Sequence, residues 1–445
     1  MPTLHSLARC ISRSLVPSIA APRDMLGFAG VIALVAAAAC GGASGESSAA
    51  AEWVAETTTE GNVTTVKTSS GSVWGGSATL VEEASIGVES GEDVYMLGSV
   101  RAIVEDAGEI FVLDRQVPVV RVYDANGLHL RDLGAEGSGP GELQRPESMV
   151  SGADGRLFIR DPRNGRIMIL SKEGEELGTI RITSSFNTSN PMVITRDGTL
   201  YNYELLDQEA DVTDWTIGMV PQSENDDEED GEPIVAPDFD YEPPQIVARQ
   251  EGSTSVNNVP FAPQVHWTLS PSGAVIGGVS DDYSFEIRHP DGRIIRVEKS
   301  WQPVPVDSDE AGWRRKSATA NMRQTQPDWS WNGPAVPSQK PAFSQLVADV
   351  DGRIWVRRPG PGYHVDENCN EDPEPEDSFG APCWRETTTW EVFDDEGRFL
   401  GGAELPEGLQ ASPQPYVRGD LFIAVHMDDL GTVTVKRYRI ELPTR

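Results

Sequence analysis

One short pattern recurs along this chain: a glycine, any residue, then two apolar residues, the second often aromatic. It appears as "GEIFV" at Gly108, "GRLFI" at Gly155, "GTLYN" at Gly198, "GAVIG" at Gly273, "GRIWV" at Gly352 and "GDLFI" at Gly419. Asp154, Asp197 and Asp351 directly precede their glycines, as a tight hairpin turn favours. Successive glycines lie 47, 43, 75, 79 and 67 residues apart. The first two intervals match the ~40–50-residue period of a repeated four-stranded unit, and the other three match such a unit plus an insertion. Beyond residue 50 helical periodicity is scarce and short β-rich runs dominate.

A second feature follows the turns. "VVRVYDANGLHLRDLG" from Val119, "RIMILSKEGEELGTI" from Arg166, "FEIRHPDGRIIRVE" from Phe285 and "WEVFDDEGRFLGGA" from Trp390 each read as strand, polar turn with glycine, strand. Each unit is therefore expected to hold an inner strand, the glycine turn, a second strand and an outer hairpin. Runs such as "IFVL" at Ile110 are apolar on both sides, which suits a strand covered on both faces. The expectation is an all-β chain: a six-bladed β-propeller of four-stranded antiparallel blades over 52–445, with insertions near 221–243, 301–342 and 359–385. The last unit offers only three strands, ending in "TVTVKRYRI" from Thr432. Its fourth must come from the N-terminal side, from "SIGVE" at Ser85 or "EWVAETTTEGNVTTVKT" at Glu52. Pairing first and last strands removes an exposed sheet edge.

Residues 134–149, "GAEGSGPGELQRPESM", hold four glycines together with Pro140 and Pro146, and so cannot be the middle of a helix or strand. A phosphate cradle would need a following helix with a Lys and Ser/Thr pair, which this segment lacks. It is read as a link crossing from the outer strand of one blade to the inner strand of the next. "GSGPGELQRP", with "VLDR" at Val112 and "DPRNGRIMIL" at Asp161, resembles the six-bladed β-propellers related to NHL repeats. The resemblance is clear over 94–177, weakens in the middle and returns over 346–440. The matching motifs are structural, so the resemblance implies a fold and says little about activity.

Propeller topology places inter-blade links and second-to-third-strand loops on one face. The excursions 301–342 and 359–385 are thus expected on the face that carries 134–146. Segment 301–340 holds four of the eleven tryptophans, Trp301, Trp313, Trp329 and Trp331. It also sets Arg314, Arg315, Lys316, Arg323 and Lys340 against Asp307, Asp309, Glu310 and Asp328, a local cationic surplus in a chain of net charge −34. "DSDEAGWRRKSATANMRQ" from Asp307 predicts a short helix with a capping Asp or Ser and acids in its first turn. Two roles are open for these residues. One is packing of the insertion onto the blades. The other is a ligand-binding face of Trp313, Arg314, Arg315, Trp329, Trp331 and Trp384, because tryptophan and arginine dominate recognition patches and flat rings suit sugars or peptides. The acidic run "SENDDEEDGEP" at 223–233 is placed between third and fourth strands on the opposite face. Its consecutive carboxylates suit a solvated loop better than a calcium site, which wants alternating ones with a turn glycine.

The N-terminus is read as an export signal over 1–39. Arg9, Arg13 and Arg23 lie in a basic lead, and "MLGFAGVIALVAAAAC" runs without charge to Cys40. About 15 apolar residues suit a signal core and fall short of a membrane span. Ala37, Ala38 and Ala39 before Cys40, with the tether "GGASGESSAAAE" after it, resemble a bacterial lipobox, which implies a lipid on Cys40. Ala37 departs from the larger aliphatic residue usual there, so plain secretion is the alternative. Met25 is a second possible start, although its lead would lack a basic residue. Cys369 and Cys383 share one loop and, in an oxidising compartment, are expected to form a disulfide that contributes roughly 3 kcal/mol.

The net charge of −34 repels nucleic acid and anionic lipid headgroups. Contact with the membrane is expected only through the lipid anchor. The functional expectation is a monomeric binding scaffold of the cell envelope, needing no cofactor, with an envelope protein, peptide or glycan as partner. The alternative is a propeller hydrolase or lyase holding calcium or another metal in its central channel. His266 sits near an inner strand, His129 and His289 on outer hairpins and His364 in the disulfide loop, so a histidine set converging on the channel is not evident. No G-x-S-x-G nucleophile elbow occurs.

Overall fold

All six glycines of the repeated pattern take positive φ, from +60° at Gly419 to +93° at Gly352. Each closes the hairpin between the first and second strands of a four-stranded antiparallel unit. Side chains rarely adopt this conformation, which is why glycine recurs there. The computed structural model describes residues 52–182, 190–207, 216–224, 231–365, 369–377, 382–428 and 430–444. The expected signal peptide, the tether 40–51 with Cys40, and most of the acidic run at 223–233 lie outside them.

Four-stranded antiparallel runs recur among the described residues, the last two within one eight-stranded sheet where Phe399–Glu404 lies parallel to Ser77–Ile86, and the architecture is all-β and propeller-like. The first holds Val100–Asp106, Glu109–Asp114, Val119–Asp124 and His129–Leu133. The second runs from Ser148–Ser151 through Leu157–Asp161 and Arg166–Leu170 to Glu176–Arg181. The third has a short first strand, Val193–Ile194, and a short last one, Ile234–Val235. The fourth comprises Val265–Leu269, Val275–Val279, Ser284–Arg288 and Ile294–Lys299. The fifth comprises Gln345–Ala348, Ile354–His364, Trp384–Phe393 and Phe399–Glu404. The sixth takes Tyr416–Arg418, Leu421–Met427 and Val433–Glu441 from the C-terminal end.

Its fourth strand comes from the N-terminal side. Ser77–Ile86 pairs antiparallel with Val433–Glu441, with Leu80 opposite Ile440 and Ile86 opposite Val435. The strand lies mostly ahead of the expected run at Ser85: it begins at Ser77 and takes in only Ser85 and Ile86 of that run. The rival segment at Glu52 forms the hairpin Val54–Glu60 and Val63–Ser70, whose second strand lies parallel to the outer strand Ile294–Lys299 of the fourth unit.

The core lies between sheets. Phe111 and Leu113 pack with Leu157, Ile159 and Met168 between the first and second units. Phe158, Ile167 and Leu200 join the second to the third, and Tyr203, Met219 and Leu269 the third to the fourth. Phe285, Ile354 and Phe393 bridge the fourth and fifth. Trp355, Trp390, Phe422 and Tyr438 bridge the fifth and sixth. Ile110 and Tyr123 pack on Ile423 and Val425, so the sixth unit also shares a core with the first. The run Ile110 to Leu113 has no exposed surface, as expected of a strand covered on both faces. Each such side chain stabilises the fold by about 1.5–3 kcal/mol.

The links are ordered by side chains at the ends of the second strands. Asp114 accepts from the N–H groups of Gly98, Ser99 and Gln116, and Asp161 from those of Gln144 and Arg145. Ser280 takes the same role in the fourth unit, accepting from Gln264 N–H. The glycine-rich segment at 134–149 is such a link. Arg166 donates to the carbonyls of Gly139 and Glu142, and Asn164 to that of Gly137.

The excursion at 359–385 lies between the second and third strands of the fifth unit, which run out to His364 and back from Trp384. The sequence reading missed a separate hairpin, Gln245–Gln250 with Ser253–Asn258, between the third and fourth units. Its alternation is weak and polar, which hid it.

Candidate functional site

The predicted helix spans Ser308–Thr325. Asp307 caps it, accepting from Asp309 N–H at 2.8 Å and Glu310 N–H at 3.4 Å. Asp309 and Glu310 stand in the first turn and Arg323 in the last, as the helix dipole favours. Few of its residues are apolar, so it stays in place through what it touches. It packs on the hairpin Gln245–Gln250/Ser253–Asn258, on the extended strand Ile354–His364 and on the short turn Pro375–Asp377. Both large excursions therefore emerge together.

Four of the eleven tryptophans, Trp313, Trp329, Trp331 and Trp384, build this platform. Trp329 is 2% exposed and packs with Ile246, Ala248, Val259 and Met322 in a small separate core. Its Nε1 donates to Val247 O at 2.8 Å. Trp313 is buried and donates from Nε1 to Asn370 O at 2.8 Å, tying helix to disulfide loop. Trp331 is half-buried, edge-on to Trp329, and donates to Pro334 O. Arg314 donates to Trp384 O at 3.2 Å and lies over the rings of Trp313 and Phe261. Half-buried Trp384 stacks edge-on against His364. Arg315 alone of the six predicted residues is exposed, lying over Trp331 with its guanidinium 5.0 Å from the ring centroid.

Beneath the helix, Lys340 Nζ sits 3.0 Å from both Glu310 Oε1 and Glu386 Oε2. The disulfide Cys369–Cys383, with Cα atoms 4.8 Å apart, fixes the facing loop. His364 and Glu371 stand beside these sulfurs, within reach of one another as ligands. With the sulfurs joined to each other, no thiolate is offered to a metal. Among the described residues no second set of three His, Cys, Asp or Glu ligands gathers. His266, in the first strand of the fourth unit, is pushed down to about 4 by burial.

Helix and loop enclose a cleft of ≈ 320 Å³. One wall is Gly312, Arg315, Lys316, Thr319 and Arg323, and the other runs from Asp372 to Pro375. Lys316 Nζ meets Asp372 Oδ1 at 2.6 Å, and this bond raises the lysine pKa. Gln324 reaches Pro375 O. Arg323 Nε is turned back to Trp329 O. Of these lining residues the sequence reading named only Arg315 as a ligand contact. The helical spacing of 312, 315, 316, 319 and 323 carries the signal, since positions three and four apart share one face.

No family model matches the chain. Among solved structures, a DUF4221-family protein from Bacteroides vulgatus is 11% identical, covering 82% of this chain and 99% of its own, at a TM-score of 0.41. A protein of unknown function from Dyadobacter fermentans is 10% identical, with 81% and 99% covered and a TM-score of 0.40. Virginiamycin B lyase from Staphylococcus aureus is 9% identical, with 76% and 94% covered and a TM-score of 0.35. At these scores no activity or ligand is carried over to this chain.

Proposed function

We propose that the chain is an exported binding scaffold, anchored by a lipid on Cys40, whose recognition site is the cleft between the helix Ser308–Thr325 and the disulfide loop. Its framework is a six-bladed propeller closed by Ser77–Ile86. The pairing of that strand with Val433–Glu441, and the shared core of the sixth and first units, support closure.

One observation carries the binding reading. In a chain of net charge −34, the cleft gathers Arg315, Lys316 and Arg323 on one wall above a rigid tryptophan foundation. A charged rim over a preorganised base is what a recognition surface needs, because little ordering remains to be done on binding. The opposite wall adds Asp372, Glu374 and two prolines, a mixed lining suited to a peptide segment bearing both charges. The buried Trp313 and Trp329 act as foundation, and contact falls to Arg315, Lys316 and the half-buried Trp331.

The test is capture from a defined panel of envelope peptides and glycans, comparing the native protein with Arg315→Glu/Lys316→Glu. Loss of capture with unchanged melting supports the site. Undiminished capture removes it.

A further inference from the structure

A second cationic cluster lies away from the cleft, where the first two sheets meet. First strands of neighbouring sheets touch each other: Val100–Asp106 contacts Ser148–Ser151 and Tyr416–Arg418, and Val265–Leu269 contacts Gln345–Ala348. Side chains at their link ends are thereby brought together. Arg101 stands on the first strand of the first unit, and Arg115 just beyond its second strand. Arg145 and Glu147 belong to the link into the second unit, and Arg160 to that unit's second strand.

Glu147, 3% exposed, accepts from three guanidiniums: Arg101 Nη2 at 2.5 Å, Arg115 Nη1 at 3.0 Å and Arg145 Nε at 3.0 Å. Burial opposes its charge, but Arg115 and Arg101 outweigh burial and hold its pKa below the usual value. Three guanidiniums present about fifteen N–H donors, and one carboxylate cannot satisfy them. Arg160 is buried beside this group, where loss of hydration lowers its pKa against the opposing pull of Glu204 and Glu147. The other carboxylates here are engaged: Asp114 with backbone N–H groups and Arg121, Asp161 with backbone N–H groups and Asn164. Arg101, Arg115 and Arg145 thus converge on Glu147, and Arg160 feels Glu204 and Glu147. Arg115 and Arg145 keep 32% and 46% of their side chains exposed, and so remain reachable.

We infer that this end of the first two sheets binds a small anion, a carboxylate- or phosphate-bearing group gripped by Arg115 and Arg145 with Arg101 and Arg160 behind them. Planar guanidiniums suit both chemistries, since each pairs with two oxygens at once. The cationic surplus disfavours a divalent metal at the same place.

The test is calorimetric titration of the purified protein with inorganic phosphate and, separately, citrate, at ionic strength held constant with sodium chloride. Saturable binding of either supports the site, and which of the two binds identifies the chemistry. Arg115→Gln/Arg145→Gln should weaken binding roughly tenfold or more, while Arg293→Gln, on a distant outer hairpin, leaves it unchanged. If the double variant does not fold, Arg145→Gln alone, the more exposed position, gives the reading. No saturable heat from either anion, or affinity that survives the arginine changes, overturns the inference. Neither result bears on the helix–loop cleft, which shares no residue with this site.

Discussion

Lys340 Nζ lies 3.0 Å from Glu310 Oε1, and both side chains are wholly buried. This pair joins the helix that walls the cleft to the strand return at 384–386, through the second contact of Lys340 with Glu386. Ala or Met at 340 would leave the buried Glu310 without its cationic partner. Removing one partner of such a pair costs about 3–5 kcal/mol. Lys340→Met should therefore loosen the platform, seen as protease cleavage within 301–342 at concentrations that spare the native protein.

Gly362 makes room for that same carboxylate. A Cβ at this position would sit 2.3 Å from Glu310 Oε2. Gly362→Ala is expected to lower Tm and to reproduce the protease sensitivity of Lys340→Met. A variant with native melting and native resistance would show that the helix does not depend on this contact.

Truncation at the two ends of the chain should have different effects. Removing residues 436–445 takes away most of the partner of Ser77–Ile86 and exposes a sheet edge, so the cooperative melt should be lost. Removing 52–70 only strips a hairpin from the outer edge of the fourth unit, and should leave a cooperative transition. Calorimetry on both truncations checks this, and a C-terminal truncation that melts like the full chain refutes closure.

Asp161 offers a local test of how links are held. It accepts from Gln144 N–H, Arg145 N–H and Asn164. Hydrogen bonds to a charged acceptor contribute about 1.5–3 kcal/mol each. Asp161→Ala should lower the urea midpoint clearly, with Asp161→Asn recovering part of the loss through its remaining acceptor oxygen.

His266 gives the fold a pH dependence of known sign. Burial pushes its pKa down to about 4, so the folded state keeps it neutral where the unfolded chain, with a pKa near 6.5, is protonated. Between these values the unfolded state binds the extra proton, and stability rises with pH. The contribution is complete above about pH 6.5 and is lost as pH falls toward 4, by roughly 3 kcal/mol. His266→Gln should flatten the Tm-against-pH curve in this window, and an unchanged slope would assign the dependence to other groups.

The repeat was legible in the sequence because its cause is local. A positive φ at Gly108, Gly155, Gly198, Gly273, Gly352 and Gly419 is required by each turn itself, so the chain writes the turn down wherever it occurs. The helix at Ser308–Thr325 was legible for the same reason, through Asp307 and the charges of its first turn. The roles of the tryptophans were not local. Trp329 is buried against Ile246 and Ala248 of a distant hairpin, and Trp313 donates to a loop 57 residues away, so whether either ring faces solvent depended on elements that no sequence window contains. The same distance hid the cleft, whose walls meet through Lys316 and Asp372, and the cationic cluster around Glu147, whose arginines come from two sheets. Turn chemistry and strand patterning are decided within a few residues. Which faces end up covered, and which charges end up facing one another, is decided only when the sheets pack.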